Sequence, residues 1–238
     1  MNPVFVVAIA AALMLAVEQH IPNVRQPKVQ GWIARLIVLN AVQVAIVYIG
    51  ALTWDGWIPQ WHLFNAAQLS TPLGIALGYL TVTFVYYWWH RARHEVPLLW
   101  RWLHQVHHSP VRIECLMSFY KHPLEIFLNG LLSSWLLHGL LGLSASSAAV
   151  VVVMTGVAEL FYHWNVRTPY WLGFIFQRPE MHRRHHARDW HRSNYSDLPI
   201  WDLLFGTFDN PRATPPACGF ANGAERELHH LLLGRTPR

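Results

Sequence analysis

Residues 90–109 read HRARHEVPLLWRWLHQVHHS and place five histidines, His90, His94, His104, His107 and His108, within nineteen positions. His90 and His94 are four apart, and His104, His107 and His108 form an HxxHH pattern. Positions i, i+3 and i+4 share one face of a helix, so each group is expected to aim its rings at a single spot. The pattern returns as His182, His185 and His186 in MHRRHH, and His163 stands between the boxes in FYHWN. Imidazole is the commonest metal ligand and suits iron, zinc, copper and nickel. A tetrahedral zinc uses four ligands, so nine rings point to two metals. Redox-active iron is favoured, because a nitrogen-rich set with open positions can activate dioxygen. A merely cationic surface would not repeat ligand spacing in this way.

Composition narrows the class. The chain has 238 residues, a length that predicts one domain over 1–238, with the histidine-box core at about 80–210. Charged residues make up 13% and hydrophobic residues 53%, with 13 Trp. That charged share is about half the usual one for a soluble protein, so a membrane protein is expected. The net charge of +5 comes without a nucleic-acid motif, and no nucleic-acid partner is expected. Cys115 and Cys218 lie outside any CxxC and read as free thiols in a reducing compartment. There is no glycine-rich nucleotide loop and no CxxCH, so electrons for a redox site must come from another protein.

The apolar pattern predicts an all-α, multi-pass fold of about four to five spans, with a helical cap carrying the dimetal site. Val4–Val17 is apolar but short for a span, and is expected to be a retained first helix rather than a signal peptide. Ile33–Leu52 and Pro72–Trp89 are the next two expected spans. The second of them ends in Tyr86, Tyr87, Trp88 and Trp89 and delivers His90 to the membrane surface. Leu124–Leu143 and Ala145–Tyr162 predict a helical hairpin at 124–162, turning near Gly142 and Ser144. All 18 Lys and Arg fall on the histidine side of this topology, and none falls in Thr53–Ser70 or in the hairpin turn. By the positive-inside rule the histidine side is expected to be cytoplasmic, which in a bacterium means the inner face of the inner membrane.

Metal-bound histidines donate their second N–H to a carboxylate or carbonyl. Glu95, Glu159, Asp189 and Asp202 are candidates for that supporting role. His122, in KHPLE, is a candidate tenth ligand or its neighbour. His191, five past His186, is expected to support or be solvated rather than to ligate. Asn165 is a candidate to hold a metal-bound water or to cap a helix, and Asn194 joins the supporting candidates. Glu114 is expected to be a solvated charge or to pair with a nearby arginine, and His20, His62, His229 and His230 are expected to be ordinary surface residues. His138, inside an apolar run, is expected to be interfacial.

The segments WHRARHEVPLLWRWLHQVHHS, KHPLE, FYHWNVRTP, MHRRHH and NYSDLPIWDLLFGTF, in that order, resemble the fatty acid hydroxylase and sterol desaturase family. The early EQHIPNVR segment is similar to bacterial members, and WHRARHE with HQVHHS also looks like the alkylglycerol monooxygenase branch. The resemblance implies an integral-membrane, non-haem di-iron oxidoreductase. It would use dioxygen and an external donor (a ferredoxin, rubredoxin or small cytochrome) to hydroxylate or desaturate a lipid C–H bond. It carries the ligand role onto His90, His94, His104, His107, His108, His163, His182, His185 and His186. Some members have a further histidine four after the counterpart of His163; here that position is Arg167. Ether-lipid cleavage and carotenoid hydroxylation share the machinery, and a metal-binding protein without catalysis is the reading from another class. A lipid hydrolase has no support, since HExxH and GxSxG are both lacking.

Overall fold

Ordered apolar segments become long helices here. The computed structural model describes residues 2–58, 61–190, 192–215 and 217–235, apart from the side chain of Asn222. Among them there is no strand, and Ala187 and Cys218 form one isolated antiparallel bridge. The first three helices are α1 (Pro3–His20), α2 (Trp32–Leu52) and the short α3 (Trp54–Trp57). Asn2 caps α1 by accepting from the Val4 N–H at 2.9 Å, satisfying one of the unpaired first-turn donors. α4 (Thr71–Glu95) runs back and carries the first two histidines at its end. Pro97 stops α4, because it lacks an N–H and restricts the residue before it.

After the stop come the turn α5 (Pro97–Leu99), a π turn over Trp100–His104, and α6 (Gln105–His108). A 3₁₀ turn at Cys115–Phe119 then leads to the predicted hairpin. Its arms are α7 (Pro123–Ser134), extended by a π turn over Trp135–Leu140, and α8 (Ala145–His163). The distal chain carries α9 (Pro179–His185), α10 (Pro199–Phe205) and α11 (Leu228–Leu232).

Three helical stretches are long and apolar enough to cross a bilayer: Pro3–His20, Trp32–Trp57 and Ala145–His163. Only 11%, 17% and 22% of them is buried inside the protein. Phe5, Leu13, Ile33, Ile37, Val44 and Leu52 stand exposed on them, which suits hydrocarbon and not water. The expected spans at Pro72–Trp89 and Leu124–Leu143 do not reach the same apolarity in one unbroken helix. α4 mixes threonines and tyrosines into its length, and the α7 arm changes to π geometry after Ser134.

α4 packs on α8, α1 on α8 and α2 on α7. Gly78 permits the first approach, since a Cβ there would lie 2.8 Å from Leu143 and 3.0 Å from Val151. One apolar core, with Tyr79, Val82, Leu137 and Val151, fills the hairpin end. A second, with Trp32, Leu36, Val106, Met117 and Tyr120, lies beside α6 and stiffens the histidine end.

The hairpin turns at Gly142, whose φ is +60° and whose added Cβ would lie 2.3 Å from the Phe64 carbonyl oxygen. Gly142→Ala is therefore expected to destabilise the protein by about 1–3 kcal/mol. Gly56→Ala, which meets nothing within 4 Å, is expected to be neutral. Thermal unfolding of the two variants in detergent checks this, and equal melting temperatures would refute the turn assignment.

Candidate metal centre

All nine histidines singled out above converge, and they divide into two groups. His90, His94, His104, His108 and His185 form one; His107, His163, His182 and His186 form the other. Within each group the ligand nitrogens lie within 4.8 Å of one another. The expectation that each box aims at one spot is corrected. His104 and His108 serve the first group while His107 serves the second; His182 and His186 serve the second while His185 serves the first. Helical geometry explains the exchange. At 3.6 residues per turn, position i+3 lies about 60° to one side of i, and i+4 about 40° to the other. Two boxes facing each other thus each give their i and i+4 rings to one site and the i+3 ring to its neighbour. The two sites abut, with the His108 and His186 rings stacked at 4.1 Å and 12°.

The ring nitrogens are spaced as cis ligands would be. With metal–nitrogen bonds of about 2.0–2.1 Å, neighbouring ligand atoms are separated by roughly 2.9–3.4 Å. The Nε2 atoms of His90 and His104 are 2.9 Å apart, and those of His94 and His90 3.3 Å. In the other group the Nε2 separations are 3.2 Å for His163–His107, 3.0 Å for His182–His163 and 3.0 Å for His186–His182. The donor set, nitrogen-only and closely packed, fits two transition-metal ions.

Outward nitrogens are held by the scaffold. The Nδ1 of His90 pairs with the Tyr195 carbonyl at 2.9 Å, and that of His185 with the Ser193 carbonyl at 2.7 Å. His163 uses the Glu159 carbonyl at 2.8 Å and His107 the Tyr120 carbonyl at 3.2 Å. His104 uses a carboxylate oxygen of Glu125 at 3.1 Å. A carbonyl only accepts, so Nδ1 carries the hydrogen and Nε2 presents its lone pair inward. Burial holds His104, His107, His108 and His182 well below the ordinary imidazole pKa, reinforced by neighbouring rings and, for His104, by Arg93. Burial thus favours the neutral form of these rings, the form that ligates.

The loop after α9 is shaped for this. Asp189, Ser193 and Asn194 have φ of 61°, 83° and 55°, conformations that L-residues seldom adopt. Asn194 secures the loop, donating to the Met181 and Asp209 carbonyls and accepting from the Asp209 N–H. Asp202 accepts from the Tyr195 and Ser196 N–H groups and from Thr207. Burial nonetheless pushes its carboxyl up to about 6. Asp202 thereby positions the Tyr195 carbonyl that orients His90.

Other expected supporters stand elsewhere. His122 caps α7, accepting from the Leu124 N–H at 3.0 Å, and belongs to neither group. Asn165 pins the Val24 backbone through both side-chain atoms. Glu95 is exposed and paired with Arg91, and Asp189 is exposed. Glu159 acts through its carbonyl, while its carboxylate pairs with Lys121. His191 lies outside the described residues. Glu114, expected to be solvated or paired with an arginine, is 9% exposed and pairs with Arg112 while accepting from Trp32.

Glu125 was not among the sequence candidates. It is fully buried, joins His104 to Arg93, and starts an apolar helix, which is the signal that a carboxylate there has a task. A cavity of about 290 Å³ opens beside both groups, reaching His90 and His104 of one and His107 and His182 of the other. In its wall Tyr162 hydrogen-bonds Asp197, whose carboxyl burial and the nearby Glu159 raise to about 7, and packs 4.4 Å from the His182 ring.

Residues 75–207, more than half of the chain, match the family model described as fatty acid hydroxylase. The chain is 32% identical over 164 residues to alkylglycerol monooxygenase of Homo sapiens, covering 66% of this chain and 34% of that protein. It is 33% identical over 175 residues to ornithine lipid hydroxylase OlsE of Rhizobium tropici, covering 71% and 50%. With fatty acid hydroxylase vlmA of Lecanicillium sp it shares 27% identity over 215 residues, covering 83% and 55%. The chain thus matches between a third and about half of the length of these relatives. No solved structure matches it significantly. The matched segment holds all nine clustered histidines, and the chain belongs to the fatty acid hydroxylase family.

Proposed function

We propose that the two histidine groups each hold one iron and that the protein is a membrane oxidoreductase. It hydroxylates or desaturates a C–H bond of a lipid with dioxygen and electrons from an external donor. The observation that carries this is the pair of tightly packed imidazole groups, five of whose rings are held by their outer Nδ1, beside a cavity between helices. The relatives, an alkylglycerol monooxygenase, an ornithine lipid hydroxylase and a fatty acid hydroxylase, all act on lipids by name and favour hydroxylation.

His90, His94, His104, His108 and His185 would hold one metal; His107, His163, His182 and His186 would hold the other. When bound, two irons supply the activation of dioxygen that an unactivated C–H bond requires. The four-histidine group has Arg167 where some relatives carry another histidine, which leaves it a position for a small ligand. The carbonyls of Tyr195, Ser193, Glu159 and Tyr120 orient rings. The cavity walls guide the substrate and keep bulk water from the reacting end. The arrangement of all Lys and Arg at the histidine end favours a cytoplasmic site and four to five crossings. That basic end suits an acidic carrier such as a ferredoxin, rubredoxin or small cytochrome.

Elemental analysis of purified protein is expected to find about two irons per chain. His107→Ala is expected to lose the iron of the four-histidine group together with lipid oxidation, while the exposed His20→Ala keeps both. Zinc alone in freshly prepared, active protein would count against the redox reading. Glu125→Gln keeps the side-chain shape but removes the charge shared by His104 and Arg93. It is expected to weaken metal binding at the five-histidine group by roughly 10–100-fold, read by competition with a chelator. Unchanged affinity would remove Glu125 from the metal's support.

A further inference from the structure

The cavity carries acidic groups at both ends, and between them its wall mixes apolar with uncharged polar side chains. At the metal end its wall carries the ion pairs Arg93–Glu125 and Lys121–Glu159. Between the ends the wall is built from Ile46, Val82, Ile126 and Val152, with the uncharged Gln43 and Asn129 among them. At the opposite end stands Asp55, in α3, half-buried and accepting a hydrogen bond from Ser134. The two ends are joined by α7. Glu125 touches His104 at its start and Ser134 touches Asp55 at its end, and nine residues of helix separate them by about 14 Å.

Asp55 is unusual in its surroundings. No Lys or Arg occurs in residues 36–90 or 122–166, the segments that build that end. Among the described residues Ser134 alone donates to its side chain, and His138 is the ionisable neighbour. A carboxylate set among apolar helices without a cation is costly, and it marks a binding role unless it only caps a turn. Here it also lines a cavity, where a few placed polar groups fix a ligand's orientation.

We infer that the cavity binds a single-chain lipid end-on, with a cationic or hydrogen-bond-donating polar end at Asp55 and the oxidised carbon about 14 Å away at the histidines. Primary amines and alcohols meet the site's chemistry; a carboxylate end repels Asp55. This rests on the lipid-oxidising reading for its reaction but not for its binding.

Binding of tetradecylamine, tetradecanol and tetradecanoic acid to the protein in phosphatidylcholine nanodiscs tests it, and needs neither iron turnover nor dioxygen. The amine is expected to bind at least about tenfold tighter than the acid, the discrimination a charged hydrogen bond supports. Asp55→Asn should abolish that ratio and Ser134→Ala should preserve it. A Cβ at Gly130 would meet only Trp54, at 3.3 Å, so the position borders open cavity. Gly130 lies four residues before Ser134, about 6 Å along α7 from the Asp55 end and beyond the reach of propylamine. Gly130→Leu is therefore expected to weaken tetradecylamine more than propylamine. Equal affinities for amine and acid in the unmodified protein, or an undiminished ratio in Asp55→Asn, overturn the inference. So does a Gly130→Leu effect independent of chain length, and these arms stand should Asp55→Asn fail to fold. Selective binding without any lipid oxidation would instead leave the binding site intact and refute the proposed reaction.

Discussion

Imidazole burial is the constraint from which the rest of the architecture follows. Seven of the nine rings are almost wholly removed from water, and a buried polar ring is costly unless both nitrogens are engaged. The fold meets that demand on the outer side with backbone carbonyls and one carboxylate. It leaves the inner nitrogens facing one another at separations that only bound metal ions make favourable for every ring. The supporting carbonyls come from three parts of the chain: Tyr120, Glu159 of α8, and the loop that holds Ser193 and Tyr195. The centre therefore exists only when the loops at 118–121 and 193–196 are both in place.

The helices serve this centre by where they stop. α4 breaks at Pro97 directly after His94, and α8 ends at His163. The π turn ahead of α6 resets the rotation of the second box, a use of π geometry common at functional sites. The strained left-handed residues 193 and 194 are a local cost offset by what they position, since the Ser193 carbonyl meets His185 only through that backbone course. Apolar exposed faces on α1 and α2 fix the other boundary, requiring hydrocarbon around the bundle while the cap stays polar.

Between these boundaries lies a narrow cavity with ion pairs beside the histidines and a solitary carboxylate at the other end. On the reading proposed above, the unequal ends would select a lipid's orientation and with it the carbon presented for oxidation, which an apolar tube would not do.

Much of this was legible in the residues. The all-helical class, the hairpin with its turn at Gly142, and the nine histidines follow from apolar runs and ligand spacing, because periodicity is a local property of the chain. The supporting contacts were not legible, since four of the five described Nδ1 partners are backbone carbonyls, which every residue possesses. Acidic residues beside the boxes, such as Glu95 and Asp189, were poor guides, while Glu125, outside every box, reaches His104 from the start of α7. By itself the sequence determined which side chains the centre contains. Only the tertiary structure decided how they divide, because the assignment of His107 and His185 to opposite groups depends on two helices facing each other, a relation no single segment encodes.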